Sequence, residues 1–356
     1  MADKPAIQRG RGAVSNPHVR YHQETRQVVD DGWFPETDQP KLKTTIHRDN
    51  TQSILTTNRS PDVPFDVSIN PYRGCEHGCI YCFARPTHAY LDFSPGLDFE
   101  TQLVIKPEAP ALLRKKLAGK NYQCKPIAMG TNTDPYQPVE RDHRITRQLL
   151  EVLEEHRHPV AIVTKSAMIE RDIDILSRMA ERNLVHVMIS VCTLDKTMAR
   201  TLEPRATAPP RRMQTIARLN EAGIPTGVLV APIIPVLNDP EMETILRQAA
   251  DAGARNAGYV LLRLPLEVAP LFEEWLTTHY PLKHAHVMKR IRDTRDGAVY
   301  QSGFGKRMVG EGAFAAMIGR RFDAMCRRFD FGKRTIYLDT HHFTSPCRSN
   351  GQMTLF

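Results

Sequence analysis

The sequence predicts an α/β protein: a partial (β/α)6 barrel with a polar N-terminal arm and a basic, mainly helical C-terminal extension. Three observations carry this reading. Short β-branched runs alternate six times with amphipathic helical stretches between residues 64 and 265, and such alternation implies parallel strands joined by crossover helices. Polar and chemically unusual residues recur just past each predicted strand, where parallel α/β barrels carry their chemistry. Outside this span the pattern lapses. These shifts divide the chain into an arm (1–63), a barrel (64–265), an extension (266–348) and a tail (349–356).

The arm is rich in Arg, Asp, Thr and Pro and has little periodicity. It is expected to wrap the barrel as a largely irregular segment, with Trp33 and Phe34 as its anchors. The predicted strands lie at 67–70, 127–131, 160–164, 185–191, 226–231 and 259–262. The predicted helices lie at 109–118, 141–156, 169–182, 211–222, 241–252 and 266–279. Within 169–182, Ile169, Ile173, Leu176 and Ala180 repeat at helical spacing. Gly223 and Gly253 follow two of the helices, where a left-handed cap suits glycine. Beyond the barrel, Phe314, Met317, Ile318, Phe322, Met325 and Phe329 form a stripe at three- and four-residue steps, expected to face the core. Arg320, Arg321, Arg327 and Arg328 decorate the same helix.

Bulk properties narrow the function classes. A chain of 356 residues with 41% hydrophobic and 25% charged residues can build a sizeable core. No apolar run is long enough to span a membrane, and the first ten residues lack the apolar stretch of a secretory signal. The seven cysteines, at 75, 79, 82, 124, 192, 326 and 347, show no disulfide-framework spacing, so a reducing cytoplasm is the expected compartment. The net charge is +8. Between Lys283 and Arg334 there are 13 Lys and Arg against 5 Asp and Glu. That excess equals the excess of the whole chain and marks 283–334 as the candidate contact with a polyanion such as DNA.

The segment 69–83 concentrates the chemistry. Cys75, Cys79 and Cys82 stand at C-x3-C-x2-C spacing, close enough for three thiolates to meet at one metal centre. Two centres fit at this point. Iron–sulfur clusters are held by cysteine thiolates, usually four, and three would leave one iron open to a small molecule. Zinc could instead recruit the same cysteines with His77 or His88, although no second C-x2-C pair exists in the chain.

The later strand ends add Thr133 and Asp134, then Thr164-Lys165-Ser166, then Ser190, Ala231-Pro232-Ile233 and Arg263. Lys165 offers a cation, and Thr133 and Ser190 offer oxygen acceptors. The three-cysteine spacing resembles that of the radical S-adenosylmethionine (SAM) superfamily. The strand-end residues resemble its spore photoproduct lyase branch, over residues 64–265 as motifs rather than continuous identity. The resemblance implies a [4Fe-4S] cluster on Cys75, Cys79 and Cys82, with SAM chelated at the open iron and a one-electron reductant as partner. It implies Lys165 at the SAM carboxylate, Thr133 and Ser190 at its amino group, and Tyr81 beside the adenine. Phe83 and Asp134 complete the expected cofactor-binding set. Glu140, Glu203 and Arg205 are either contacts to SAM or substrate or salt-bridged loop residues.

One position departs from that branch. Two residues before Thr133, where the lyase has a hydrogen-donating cysteine, this chain has Thr131, whose O–H bond is too strong for that task. The sequence therefore resembles a sister group with a different reaction, in which Tyr136, Tyr81 or Cys192 is the candidate hydrogen donor. The substrate expected from the resemblance and the charge is nucleic acid, in repair or modification. Radical chemistry on a protein or metabolite, or a metal-bearing nucleic-acid-binding protein without turnover, are the alternatives. Last, Gln352-Met-Thr-Leu355-Phe356 resembles the short peptide by which bacterial repair proteins dock on the DNA sliding clamp. There Gln352 would make the polar contact, and Leu355 and Phe356 would fill an apolar pocket.

Overall fold

The computed structural model describes residues 10–21, 42–333 and 337–345. Trp33, Phe34, Cys347 and the tail motif at 352–356 lie outside the described residues. Ten strands occur among them: β1 (Thr45–Arg48), β2 (Leu55–Thr57), β3 (Val67–Ile69), β4 (Tyr72–Arg73), β5 (Gln102–Ile105), β6 (Ile127–Met129), β7 (Val160–Thr164), β8 (Val185–Ser190), β9 (Thr226–Ile233) and β10 (Asn256–Leu261).

Seven strands form one sheet in the order β10-β9-β8-β7-β6-β3-β2. Its neighbours are parallel except β2, which runs antiparallel to β3. The six parallel strands are the six that the alternation predicts. The last begins at Asn256 rather than 259, because Ala257 and Gly258 carry no β-branched signal although they pair with Val228 and Leu229. A smaller sheet, β1-β5-β4, stands beside the cysteine loop. Strands β1 and β2 correct the arm boundary drawn at 63. Both are short and lack a hydrophobic run, and partners distant in sequence impose their extended form.

The crossovers are Ala109–Leu117, Ile145–Glu155, Ile173–Ala180, Pro209–Glu221 and Met242–Asp251, and Val268–His279 follows the last strand. Each turns an aliphatic stripe onto the sheet. Leu149, Leu150 and Leu153 are fully buried, and burying a side chain of that size is worth about 1.5–3 kcal/mol. The expected helix 141–156 is broken at Arg144, which adopts φ 52°. The Glu140 carboxylate accepts the N–H groups of Thr146 and Arg147 at 3.0 and 3.3 Å, so it caps the second segment at its first turn.

The extension completes the barrel wall past β10. Arg295, fully buried, donates to the carbonyls of Lys306 and Leu262 at 2.9 and 2.8 Å, and Leu261 N–H donates to Met308 O at 2.9 Å. In helix Gly312–Arg328, Ala315, Ile318 and Phe322 are buried, and Phe314, Met317, Met325 and Phe329 pack against the same core. Among the described residues no helix is long and apolar enough to cross a membrane.

Candidate functional site

The loop after β3 winds through successive tight turns, with Gly78 N–H donating to Cys75 O, Cys82 N–H to Cys79 O and Arg85 N–H to Cys82 O. Two groups that sequence reasoning missed hold this loop. Arg85 is fully buried and donates to the carbonyls of Cys79, Pro95 and Gly96 at 2.9, 3.1 and 2.8 Å, and to Glu100 Oε1 at 2.6 Å. Glu100 in turn accepts the N–H groups of Gly12 and Ala13 at 3.0 and 2.9 Å. The N-terminal arm is thus bolted across the loop. A Cβ at Gly12 would meet Gly78 O at 1.9 Å, so only glycine fits there. No local pattern announces these contacts, and those between Glu100 and the arm join residues 87 and 88 positions apart.

All three cysteines face one cavity of about 730 Å³ at the C-terminal ends of the parallel strands. Burial pushes each thiol's pKa up, so three uncompensated thiolates here would be unstable. A polycationic centre offsets that cost, and three sulfurs on one wall, those of Cys75 and Cys79 buried and that of Cys82 partly so, suit a cluster with an open face. The zinc alternative fares worse in its fourth ligand. His88 Nε2 is 2.9 Å from Gln102 O and the ring packs between Phe93 and Phe99. His77 Nδ1 lies 3.3 Å from Asp134 Oδ2. Among the described residues no group of three His, Cys, Asp or Glu is set to hold a single ion.

Across the cavity, the strand ends bring together most of the residues singled out in the sequence. Tyr81, Phe83, Thr133, Asp134, Lys165 and Ser190 all line it. Lys165 Nζ donates to Ser190 Oγ at 2.7 Å, and Thr133 Oγ1 donates to Tyr72 O at 2.9 Å. Asp134 is turned inward. Its Oδ1 accepts from Thr164 Oγ1 at 2.7 Å and Tyr136 N–H at 2.9 Å, and its Oδ2 accepts from Lys165 N–H at 2.8 Å. Burial alone would raise its pKa, but His77, Lys165 N–H and Thr164 hold it at about 2. The β6–β7 approach is equally tight, since a Cβ at Gly130, with φ +83°, would meet Val163 O at 1.9 Å.

Glu203 is buried beneath the cavity rather than on its wall. It accepts hydrogen bonds from Tyr81 Oη and Arg212 Nη2, and lies 3.8 Å from Lys165 Nζ. Burial opposes its charge, but Arg212 and Lys165 hold its pKa at about 2. Glu140 is likewise an interior group, bonded to Tyr72 and Arg171, and Arg205 pairs with Glu76 at 3.1 Å. None of the three lines the cavity, and each is in an ion pair, which favours the salt-bridged reading over contact with SAM or substrate. Desolvated carboxylates with arginine partners have little capacity left for a ligand. Of the three candidate hydrogen donors, Tyr136 and Cys192 are fully buried in the core and also miss the wall. Thr131 does line it.

The basic window divides in a similar way. Arg321 pairs with Glu243 at 2.6 Å, Arg307 with Asp62 at 2.5 Å and Lys306 with Glu311 at 2.7 Å. Arg320, Arg327 and Arg328 are exposed.

A sequence model of the radical SAM superfamily matches residues 69–249, from β3 into helix Met242–Asp251 and about half of the chain. The chain belongs to the radical SAM superfamily. An uncharacterized protein of Mycobacterium bovis is 36% identical over 242 residues, covering 67% of this chain and 71% of that relative. Another, from the archaeon Methanocaldococcus jannaschii, is 29% identical over 214 residues, covering 60% and 76%. Among solved structures, spore photoproduct lyase in complex with dinucleoside spore photoproduct aligns with TM-score 0.56 at 15% identity, over 80% of this chain and 78% of that one. A point mutant of the same lyase gives 0.56 at 16%, over 81% and 79%. This radical SAM chain shares the lyase fold. Its superfamily implies an iron–sulfur cluster and SAM, and the cysteine loop and cavity fit both.

Proposed function

We propose that this radical SAM protein is an enzyme that acts on DNA, using one [4Fe-4S] cluster held by Cys75, Cys79 and Cys82. The observation that carries the reading is convergence: the three thiols, the Lys165–Ser190 pair and Thr133 all open on one cavity. When bound, the cluster supplies the electron that cleaves SAM to methionine and a 5'-deoxyadenosyl radical able to take hydrogen from a substrate. Lys165 holds the SAM carboxylate, Thr133 and Ser190 receive its amino group, and Tyr81 flanks the nucleoside. Asp134 acts as a positioning residue, fixing Lys165 and the loop of Thr133 through its hydrogen bonds. The Glu203–Arg212 pair anchors Tyr81 from below.

DNA as substrate is supported by the fold shared with a lyase solved in complex with dinucleoside spore photoproduct and by the exposed Arg320, Arg327 and Arg328. The reaction is not that lyase's hydrogen return, because Thr131 occupies the donor position. Of the alternative donors, Tyr81 alone reaches the cavity. In the test, the protein is reconstituted anaerobically and given dithionite and SAM, and 5'-deoxyadenosine is quantified. It should form with the wild type and vanish in Cys79→Ala. DNA binding should weaken with salt and in the Arg320/Arg327/Arg328→Ala variant. A loaded cluster that leaves SAM intact would end the catalytic reading, and salt-insensitive or absent DNA binding would end the choice of substrate.

A further inference from the structure

The outer half of the cavity has a composition that the cofactor does not explain. Besides Lys165 at the cofactor end, its wall carries Arg73, Lys106, Arg263 and Arg307 against one acid, Asp134, and Arg73 pairs with Asp49 at 3.1 Å. That acid is already consumed by its internal hydrogen bonds. Phe83 and Tyr90 line the cavity, Phe304 lies against Arg307 of its wall, and all three rings are exposed and sit against an arginine. Phe83 is 41% exposed, with the Arg263 guanidinium 4.9 Å from its centroid. Phe304 is 61% exposed, with Arg307 at 5.0 Å. Tyr90 is 69% exposed, 5.5 Å from Tyr21, and Arg20 stands 5.4 Å from its ring and 4.9 Å from that of Tyr21.

These arginines fall into two kinds. Arg20 and Arg307 are neutralised by Glu267 at 2.6 Å and Asp62 at 2.5 Å, so they brace the rings without offering free charge. Arg263 has no carboxylate partner among the described residues. Its Nη1 meets only Met308 Sδ, at 3.6 Å, and its buried Nε has no acceptor. Lys106, half-buried nearby, has no ion pair among the described residues either. Braced aromatic faces beside unpaired cations suit bases that have left their stack, together with their phosphates. Duplex bases present no free faces.

Resting on the reading that the substrate is DNA, we infer that this rim is a track for unpaired deoxynucleotides. Phe83, Tyr90 and Phe304 are its stacking faces, and Arg263 and Lys106 are its phosphate contacts. The enzyme therefore engages single-stranded DNA in preference to duplex.

Fluorescence anisotropy of the full chain with a labelled oligothymidylate, single-stranded or annealed to its complement, tests this. The wild type should bind the single strand at least tenfold more tightly. Phe304→Ala and Tyr90→Ala should each weaken it about 5- to 100-fold, the range for losing one stacked base, while Phe304→Tyr restores affinity. Arg263→Gln should lower the salt slope by about 0.7. Equal affinity for both forms, or Ala variants that bind like the wild type, would overturn the track and leave DNA as the substrate. A wild type that binds neither form while producing 5'-deoxyadenosine would remove both.

Discussion

The ammonium of Lys165 donates to the hydroxyl of Ser190 at 2.7 Å across the ends of two adjacent strands. Glu203 is the nearest carboxylate at 3.8 Å, yet Arg212 neutralises it from the other side. Lys165 therefore keeps its positive charge without being consumed by an internal ion pair. Burial works against that charge, but Glu203 and Cys79 more than offset it and raise the pKa.

Lys165→Met should weaken SAM binding roughly 10- to 100-fold, the loss of one charge-assisted hydrogen bond of about 1.5–3 kcal/mol. Equilibrium dialysis with labelled SAM on the cluster-loaded protein measures it. Because the pKa is raised, wild-type affinity should stay flat between pH 7 and 9.

Gly12→Ala should detach the arm from the cysteine loop, since its Cβ has no room beside Gly78 O. Loss of two buried hydrogen bonds to Glu100 costs about 1–3 kcal/mol. The expected outcome is faster proteolysis of the arm and severalfold faster bleaching of the cluster by a chelator, followed by absorbance.

Glu203→Gln leaves the buried Arg212 guanidinium without its partner. Stability in the metal-free protein should fall by about 3–5 kcal/mol, read from urea denaturation. The double variant with Arg212→Met should recover most of it, a non-additivity that a simple packing defect would not give.

His158 should make the fold acid-sensitive. Burial depresses its pKa to about 4, with Tyr122 Oη 2.7 Å from Nε2 and Phe343 packed on the ring. The unfolded chain takes up this proton near pH 6.5 and the folded chain near 4, so stability is full above 6.5 and falls as pH drops through that window. Melting temperature should decline between pH 6.5 and 4, and less so in His158→Gln.

Deleting residues 352–356 should abolish co-purification with the bacterial sliding clamp and leave 5'-deoxyadenosine formation unchanged. Retained clamp binding would dismiss the tail motif as a docking peptide.

The sequence by itself determined the alternation of strands and helices, the three thiols and the strand-end positions of Thr133, Lys165 and Ser190. Periodicity and short-range spacing are local properties, and in a parallel barrel every strand end points to the same face. It did not determine which carboxylates reach that face. Glu140, Glu203 and Asp134 look alike as acidic loop residues, and only tertiary packing buried the first two against Arg171 and Arg212 and turned the third toward Lys165 N–H. The same holds for the arm. Whether residues 10–21 drift or clamp the cysteine loop depends on Arg85 and Glu100, whose partners lie up to 88 positions away, a distance that no local signal spans. The proposed rim likewise depends on tertiary packing, since Phe83 and Tyr90 come from the segment after Cys82 and Phe304 from the extension.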